Sequence, residues 1–368
     1  MAGKKEPPRT GLKGRGATSN LAGRFETQII ETVDDGWCQE KTVETQLATH
    51  VTTEIAKSIL TPNQSPDLPF SVSLNPYRGC EHGCIYCFAR PTHAYLGLSP
   101  GLDFETRLYA KVNASELLRQ ELARSAYQPA PIALGVNTDA YQPCERKLQI
   151  TRRCLEVLQE CRHPVGLITK SALVERDLDI LAEMAKRRLV AVAITITTLD
   201  SGLSRHLEPR AASPKRRLET IRRLTEAGIP VSVSVAPVIP FITEQELERV
   251  LTAAAASGAQ SAHYIVLRLP WELNPLFQDW LQTHFPDRAH RVMNRVRDMR
   301  GGKDYDSRFG RRMHGEGMWA ELISKRFSVM TRRLKLAGGR LMKLDCSQFR
   351  RPLAVPAGES GDQMDIFG

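Results

Sequence analysis

The chain has 368 residues, a hydrophobic fraction of 42%, a charged fraction of 25% and a formal net charge of +10. These values exclude a disordered or fibrous chain and allow either one large α/β domain with an appendage or two domains. No apolar run approaches the roughly 20 residues that span a bilayer and the start has no apolar signal core, so a membrane protein is excluded and the cytoplasm is the expected compartment.

Lys4, Lys5, Arg9, Lys13 and Arg15 sit in a Gly/Pro-containing start with few apolar residues, which predicts a disordered basic arm over residues 1–20. Residues 21–70 read as an irregular extension. From residue 71 the pattern changes: β-branched, apolar runs at 71–75, 132–136, 165–169, 190–197, 231–236 and 263–269 predict six strands. Between them lie helices with recognisable ends. Ser213-Pro214 offers an N-cap with proline in the first turn, Leu218, Ile221 and Leu224 form the buried stripe, and Gly228 closes the helix. Thr243 to Glu246 reads as a capping box for a helix running to Gly258, and Asp177 as the cap for Leu178, Leu181 and Met184. Strands alternating with helices imply a parallel sheet, either doubly wound or a partial barrel, with ligands at the carboxyl ends of the strands. Residues 271–345 read as largely helical with a loop near 300–303, and 346–368 as a tail.

A reduced compartment makes a disulfide framework from eight cysteines a poor reading, and clustered ones point to metal or redox chemistry. Cys80, Cys84 and Cys87 form such a cluster, with three and then two residues between them and with Gly79 and Gly83 to let the loop wrap closely. Three thiolates on a four-iron cluster leave one iron open to chelate another molecule. The alternative is a zinc loop with His82 or a distant residue as fourth ligand, although the second Cys-x-x-Cys pair usual in zinc sites is missing. Cys154 and Cys161, seven apart on a predicted helix, read as core packing, and Cys38 and Cys346 carry no assignment.

Cys-x3-Cys-x2-Cys after a first strand, with Tyr86 before the last cysteine, resembles the signature of the radical S-adenosylmethionine (radical SAM) superfamily. The resemblance implies an α/β fold, a partial (βα)6 barrel over residues 71–270, flanked by the irregular N-terminal extension and the helical C-terminal region. It also implies a 4Fe–4S cluster on the three cysteines, S-adenosylmethionine (AdoMet) on the open iron, a flavodoxin- or ferredoxin-type reductant, and a 5′-deoxyadenosyl radical that abstracts hydrogen. Within the superfamily, the cysteine loop, the run from Gly135 to Glu145 and the run from Val231 to Pro237 resemble a group related to spore photoproduct lyase. Carried over position by position, the likeness implies that Tyr86 lies against the adenine and that Thr138 and Asp139 accept from the AdoMet amino group. It further implies Lys170 on the carboxylate or ribose, Thr195 or Thr197 on the ribose, and Ala236 offering its backbone to the adenine. One departure stands out. The lyase places a hydrogen-donating cysteine at the end of its second strand, where this chain has Val136 and Asn137; Cys144 is the nearest substitute.

Paired cations at Lys215-Arg216-Arg217, Arg222-Arg223, Arg311-Arg312 and Arg332-Arg333 suit phosphate docking or a solvated helix face. The run from Arg308 to Trp319 mixes glycines, aromatics and cations and is expected to close over the substrate opening. The chain ends in Gln363, Met364, Asp365, Ile366 and Phe367, which resembles the peptide by which bacterial replication and repair proteins dock on the sliding clamp. The leading expectation is therefore a radical AdoMet enzyme acting on nucleic acid in DNA repair or modification. The others are the same chemistry on a protein or small molecule, and a clamp-associated nucleic-acid-binding protein whose cluster is structural or redox-sensing.

Overall fold

A computed structural model describes residues 12–25, 47–338 and 343–353. Six strands follow one another by crossover connections and pair parallel in chain order: β1 (Val72–Leu74), β2 (Ile132–Leu134), β3 (Val165–Thr169), β4 (Val190–Thr195), β5 (Val231–Val238) and β6 (Ser261–Val266). A short strand, Leu60–Pro62, pairs antiparallel with β1, and Ala337–Gly338 extends the sheet beyond β6. The resulting sheet is open, a partial barrel as expected. The observed strands fall within two or three residues of the predicted ones, β6 starting earlier and β5 running further.

Alternation along the strands assigns two faces. Val190, Val192 and Ile194 of β4, with Val231, Val233 and Val235 of β5, join the main apolar core under the helices. Those helices are α1 (Ala114–Ala123), α2 (Ile150–Glu160), α3 (Leu178–Lys186), α4 (Pro214–Glu226) and α5 (Leu247–Ala256). The alternate residues Ala191, Ala193, Thr195, Ser232 and Ser234 turn to the inner face, where small side chains leave room; a Cβ on Gly166 of β3 would meet nothing within 4 Å. A second core gathers the cysteine loop against α6 (Leu273–His284) and α7 (Pro286–Asp298), and α8 (Met318–Arg333) closes the helical region. Cys154 and Cys161 are buried in the main core, and the seven described cysteines are all free. No described helix is long and apolar enough to cross a membrane.

Helix ends depart from expectation where their side chains have stronger claims elsewhere. Ser213 caps α4 through Arg216 N (3.4 Å) as predicted. The Thr243–Glu246 capping box does not form: Thr243 Oγ1 bonds Ile239 N (2.8 Å), and Glu246 accepts from Thr198 Oγ1 (2.6 Å) and Leu199 N (2.9 Å). Asp177 makes no cap bond because Tyr141, Arg152 and Arg176 occupy its carboxylate. The extension is less irregular than predicted, since His50–Glu54 forms a second small sheet with Arg107–Lys111 and Tyr77–Arg78. Nor is the basic arm free along its described part: Arg15 is buried and donates to Glu105 O (2.9 Å). Lys4, Lys5, Arg9, Cys38 and the clamp-like peptide lie outside the described residues.

At the amino ends of the strands, part of the expected tail docks. Phe349 packs tilted against Tyr127 and edge-on to His163 (5.7 and 5.4 Å between centroids), and Arg350 N donates to Cys161 O (2.7 Å). His163 has no solvent exposure, bonds the Tyr127 hydroxyl at 2.7 Å and the Pro164 carbonyl at 3.0 Å, and burial holds its pKa down at about 4 against the usual 6.5. Its neutral ring thus stabilises the fold fully above pH 6.5, and that contribution is lost as pH falls from there through 4. We expect a loss on the order of 2 kcal/mol between pH 7 and 5 from this residue alone. Melting curves of His163→Gln should show a shallower fall over that interval; an unchanged slope would exclude His163 as the cause.

Candidate active site

The site grows from the turn after β1. Cys80 and Cys84 are buried and Cys87 half-buried in a run of tight turns: Gly83 N to Cys80 O, Cys87 N to Cys84 O and Arg90 N to Cys87 O at 3.1–3.3 Å. Gly79 and Gly83 are required rather than tolerated. Both have positive φ (+73° and +65°), and added Cβ atoms would stand 2.7 Å from Leu108 Cδ2 and Glu105 Oε2.

Arg90 holds the turn from below. Nε bonds Cys84 O (2.9 Å), Nη1 bonds Pro100 O (3.1 Å) and Gly101 O (2.9 Å), and Nη2 bonds Gly83 O (3.1 Å) and Glu105 Oε1, which uses every donor of the guanidinium. Glu105 in turn accepts from Gly16 N (3.0 Å) and Ala17 N (2.9 Å), and neither member of the pair touches solvent. Above, Gln142 clamps the same turn, donating to Gly79 O (3.2 Å) and accepting from Glu81 N (2.9 Å).

The expected AdoMet-contacting residues lie at the strand ends around this loop. The Tyr86 hydroxyl meets Thr197 Oγ1 (3.2 Å) and Glu208 Oε1, while Thr197 Oγ1 also donates to Glu208 (2.5 Å). Glu208 pairs with the buried Arg217, whose other donors reach Ala212 O (2.7 Å) and Thr195 O (2.9 Å). The Lys170 ammonium stands 5.8 Å from the Tyr86 ring centroid. Burial works against its charge, but Cys84, Glu208 and Asp139 outweigh burial and raise its pKa. Asp139 already accepts from Thr169 Oγ1 (2.6 Å), Tyr141 N (2.9 Å) and Lys170 N (2.8 Å), with His82 Nδ1 at 3.3 Å. Burial pushes its carboxyl up, yet His82, Thr169 and Lys170 N prevail and hold it well below the usual range. Thr138 Oγ1 donates to Tyr77 O (2.9 Å), and Ala236 O receives a long bond (3.5 Å) from Thr197.

Cys144 starts the short helix Glu145–Leu148 and packs, half-buried, against the main core; burial and the charges of Glu81 and Glu145 raise its thiol pKa. The run from Arg308 spans the two sides of the open sheet. Asp67, in the loop before β1, accepts from Gly310 N and Arg312 Nε (both 2.6 Å), while Met313 O accepts from Val266 N of β6 (2.9 Å).

The donor set fits an iron–sulfur cluster. Burial raises Cys84 to about 12 against the pull of Lys170 and Arg217, and raises Cys80 well above its usual value together with Asp139, Cys84 and Cys87, so the nearby cations fall short of compensating thiolate charge and leave that to a bound metal centre. No three His, Cys, Asp or Glu groups among the described residues stand close enough to share one ion, and His82 faces Asp139 instead of the sulfurs. A zinc loop needs one shared centre, whereas thiolates of a polynuclear cluster each take a separate iron.

The turn, the parallel strands and the comparisons with known proteins agree on the class: the chain belongs to the radical SAM superfamily, which its residues 74–254 match. Membership makes it an enzyme and implies AdoMet and an iron–sulfur cluster. An uncharacterized protein of Mycobacterium tuberculosis is 34% identical over 273 residues, covering 74% of this chain and 76% of its own length. The radical SAM Nalpha-GlyT isomerase of Pseudomonas phage M6 is 27% identical over 202 residues, 53% of this chain and 39% of the isomerase. Among solved structures, spore photoproduct lyase complexed with dinucleoside spore photoproduct shares the fold, with a TM-score of 0.54 at 14% identity, covering 78% of this chain and 81% of the lyase.

Sequence reasoning missed Arg90, Glu105, Gln142 and Glu208. Glu105→Gln tests the first pair: it leaves a buried guanidinium without its counter-charge, a loss of about 3–5 kcal/mol. Melting of the metal-free protein should fall accordingly, and iron bound per chain after anaerobic reconstitution should drop; parental values for both would show that the pair does not hold the loop.

Proposed function

We propose that Cys80, Cys84 and Cys87 hold a 4Fe–4S cluster, that AdoMet binds its open iron, and that the enzyme acts on nucleic acid. The observation that carries the reading is the gathering of three thiols, two buried and one half-buried, with Tyr86 and Lys170 at the carboxyl ends of parallel strands, where such sheets collect ligands. When bound, cluster and AdoMet together supply one-electron cleavage of the sulfonium to a 5′-deoxyadenosyl radical.

The chain's own residues then divide the work. Arg90 and Glu105 fix the thiol-bearing turn. Lys170, a cation beside Cys84, suits the AdoMet carboxylate, and Thr195 and Thr197 present hydroxyls for the ribose. Asp139 holds Thr169, Tyr141 and Lys170 N, which positions Lys170, and its Oδ2, with one of these bonds, keeps acceptor capacity for the AdoMet amino group. The inner face beyond them, with the Ser234 hydroxyl buried and unpartnered, leaves polar capacity for a substrate.

Nucleic acid as substrate class is supported by the net charge of +10 and by the bound photoproduct of the lyase that shares the fold. Protein reconstituted anaerobically with iron and sulfide, then reduced in the presence of AdoMet, should release 5′-deoxyadenosine, and DNA should stimulate release more than peptide does. Cys80→Ala should lower release at least about a hundredfold, a barrier increase of about 2.7 kcal/mol. Zinc without iron and sulfide in the anaerobically purified protein would overturn the reading, as would the absence of 5′-deoxyadenosine.

A further inference from the structure

Most arginine clusters of this chain are spent on carboxylates. Arg216 and Arg223 pair with Glu175 (2.5 and 2.9 Å), and Arg222 with Glu219 (2.6 Å). Arg311 pairs with Glu316 (2.5 Å), Arg312 with Asp67 (2.6 Å), and Arg217 is buried on Glu208. The cationic runs expected to dock phosphates are thus largely neutralised within the fold.

Arg268 is different. It follows the end of β6, and its guanidinium carbon lies 5.1 Å from the ring centroid of Phe88, the residue next to Cys87. No carboxylate stands within ion-pair distance of it among the described residues. Among the described residues its Nε is buried without a partner, and its polar contact is Nη1 to the Met313 sulfur at 3.6 Å. Asp67, an acid that feels its charge, is already bonded to Arg312 and Gly310. Behind it lies a second guanidinium without a counter-charge in contact: Arg300 is 2% exposed and donates to the carbonyls of Arg311 and Leu267 (both 2.8 Å). Phe88 is 44% exposed, so cation and ring together present a face to solvent beside the cysteine turn.

Two neighbouring guanidinium groups without carboxylate partners call for an anion, and a planar cation whose donors are left without an oxygen acceptor takes a phosphate. The aromatic face beside it offers a base something to stack on. We propose that Arg268, backed by Arg300 and stacked on Phe88, is the anchor for a phosphodiester of the substrate strand, holding the adjoining nucleotide at the cluster. This inference rests on the nucleic-acid reading above and adds the residue that would enforce it.

The test is binding of a short fluorescein-labelled single-stranded DNA to the cluster-loaded full chain, followed by anisotropy from about 50 to 200 mM salt. Arg268→Met should weaken binding about tenfold and reduce the slope of log affinity against log salt by about 1, as expected for one lost phosphate contact. Arg268→Lys, which keeps the charge but not the fork, should fall between parent and Arg268→Met. Arg222→Met removes the same charge from a site already paired with Glu219 and should bind within about twofold of the parent. Iron content and melting temperature establish that each variant is folded; should Arg268→Met not fold, Arg268→Lys and Phe88→Leu carry the comparison. Equal losses for Arg268→Met and Arg222→Met would reduce the effect to bulk charge and overturn the anchor, as would parental binding by Arg268→Met. A parent that binds no DNA at all would instead remove the nucleic-acid reading itself.

Discussion

A buried ion pair sets the geometry on which the rest of this site depends. Isolated charges do not survive burial, and the Arg90–Glu105 pair has no exposure on either side. Such a pair is favourable only when its remaining hydrogen-bond positions are well supplied, and here every guanidinium donor is used and both carboxylate oxygens accept. The guanidinium bonds carbonyls of Gly83, Cys84, Pro100 and Gly101, while the carboxylate collects the amides of Gly16 and Ala17. The effect is to tie three stretches of chain, two of which have no regular secondary structure, around one turn. A turn that must present three sulfurs to one centre needs that rigidity, because a loop without regular hydrogen bonding otherwise keeps many backbone conformations.

The second constraint runs from the turn to the sheet. Tyr86, one residue before the last cysteine, shares Glu208 with Thr197, and Glu208 is balanced by Arg217 at the start of α4. Arg217 also bonds the carbonyl of Thr195, the last residue of β4. One buried carboxylate therefore fixes the aromatic ring against the end of the fourth strand, and Lys170 from the third strand end adds a cation to the same group. Asp139 plays the corresponding part on the other side, joining the loop after β2 to the end of β3. The strands supply a frame, and two buried acids convert the frame into fixed distances between loops.

What could be read from the chain alone follows from the range of the forces involved. The strands and the cysteine turn are local signals: runs such as Val190 to Thr195 are buried at every position, and three cysteines with two glycines occupy the nine residues from Gly79 to Cys87. Tyr86 and Glu208 are 122 residues apart, and Arg15 lies 90 residues from the carbonyl it bonds, so no window of sequence holds either contact. Local cues misled where a distant partner won. Glu246 satisfies the loop after β4 instead of closing a capping box, and Asp177 serves Tyr141 and two arginines instead of capping α3. His50–Glu54 escaped notice because nearly all of its side chains are exposed, leaving no apolar alternation to betray a strand.

Charge shows the same division between composition and placement. A net excess of +10 suits an anionic partner, yet it does not say where that partner sits. The densest cationic run, on α4, is the least available: Arg217 is buried, while Arg216, Arg222 and Arg223 face Glu175, Glu219 and Glu226. Paired surface charges attract a polyanion weakly, since each contact must first break an existing one. A cation beside the cysteine turn with no acid in contact meets no such opposition, and its field acts where a substrate must lie for chemistry at the cluster. On the proposed nucleic-acid reading, local neutrality across the helices and an uncompensated cation at the end of β6 would direct an anionic strand to the cysteine turn, a direction that the total charge of the chain does not contain.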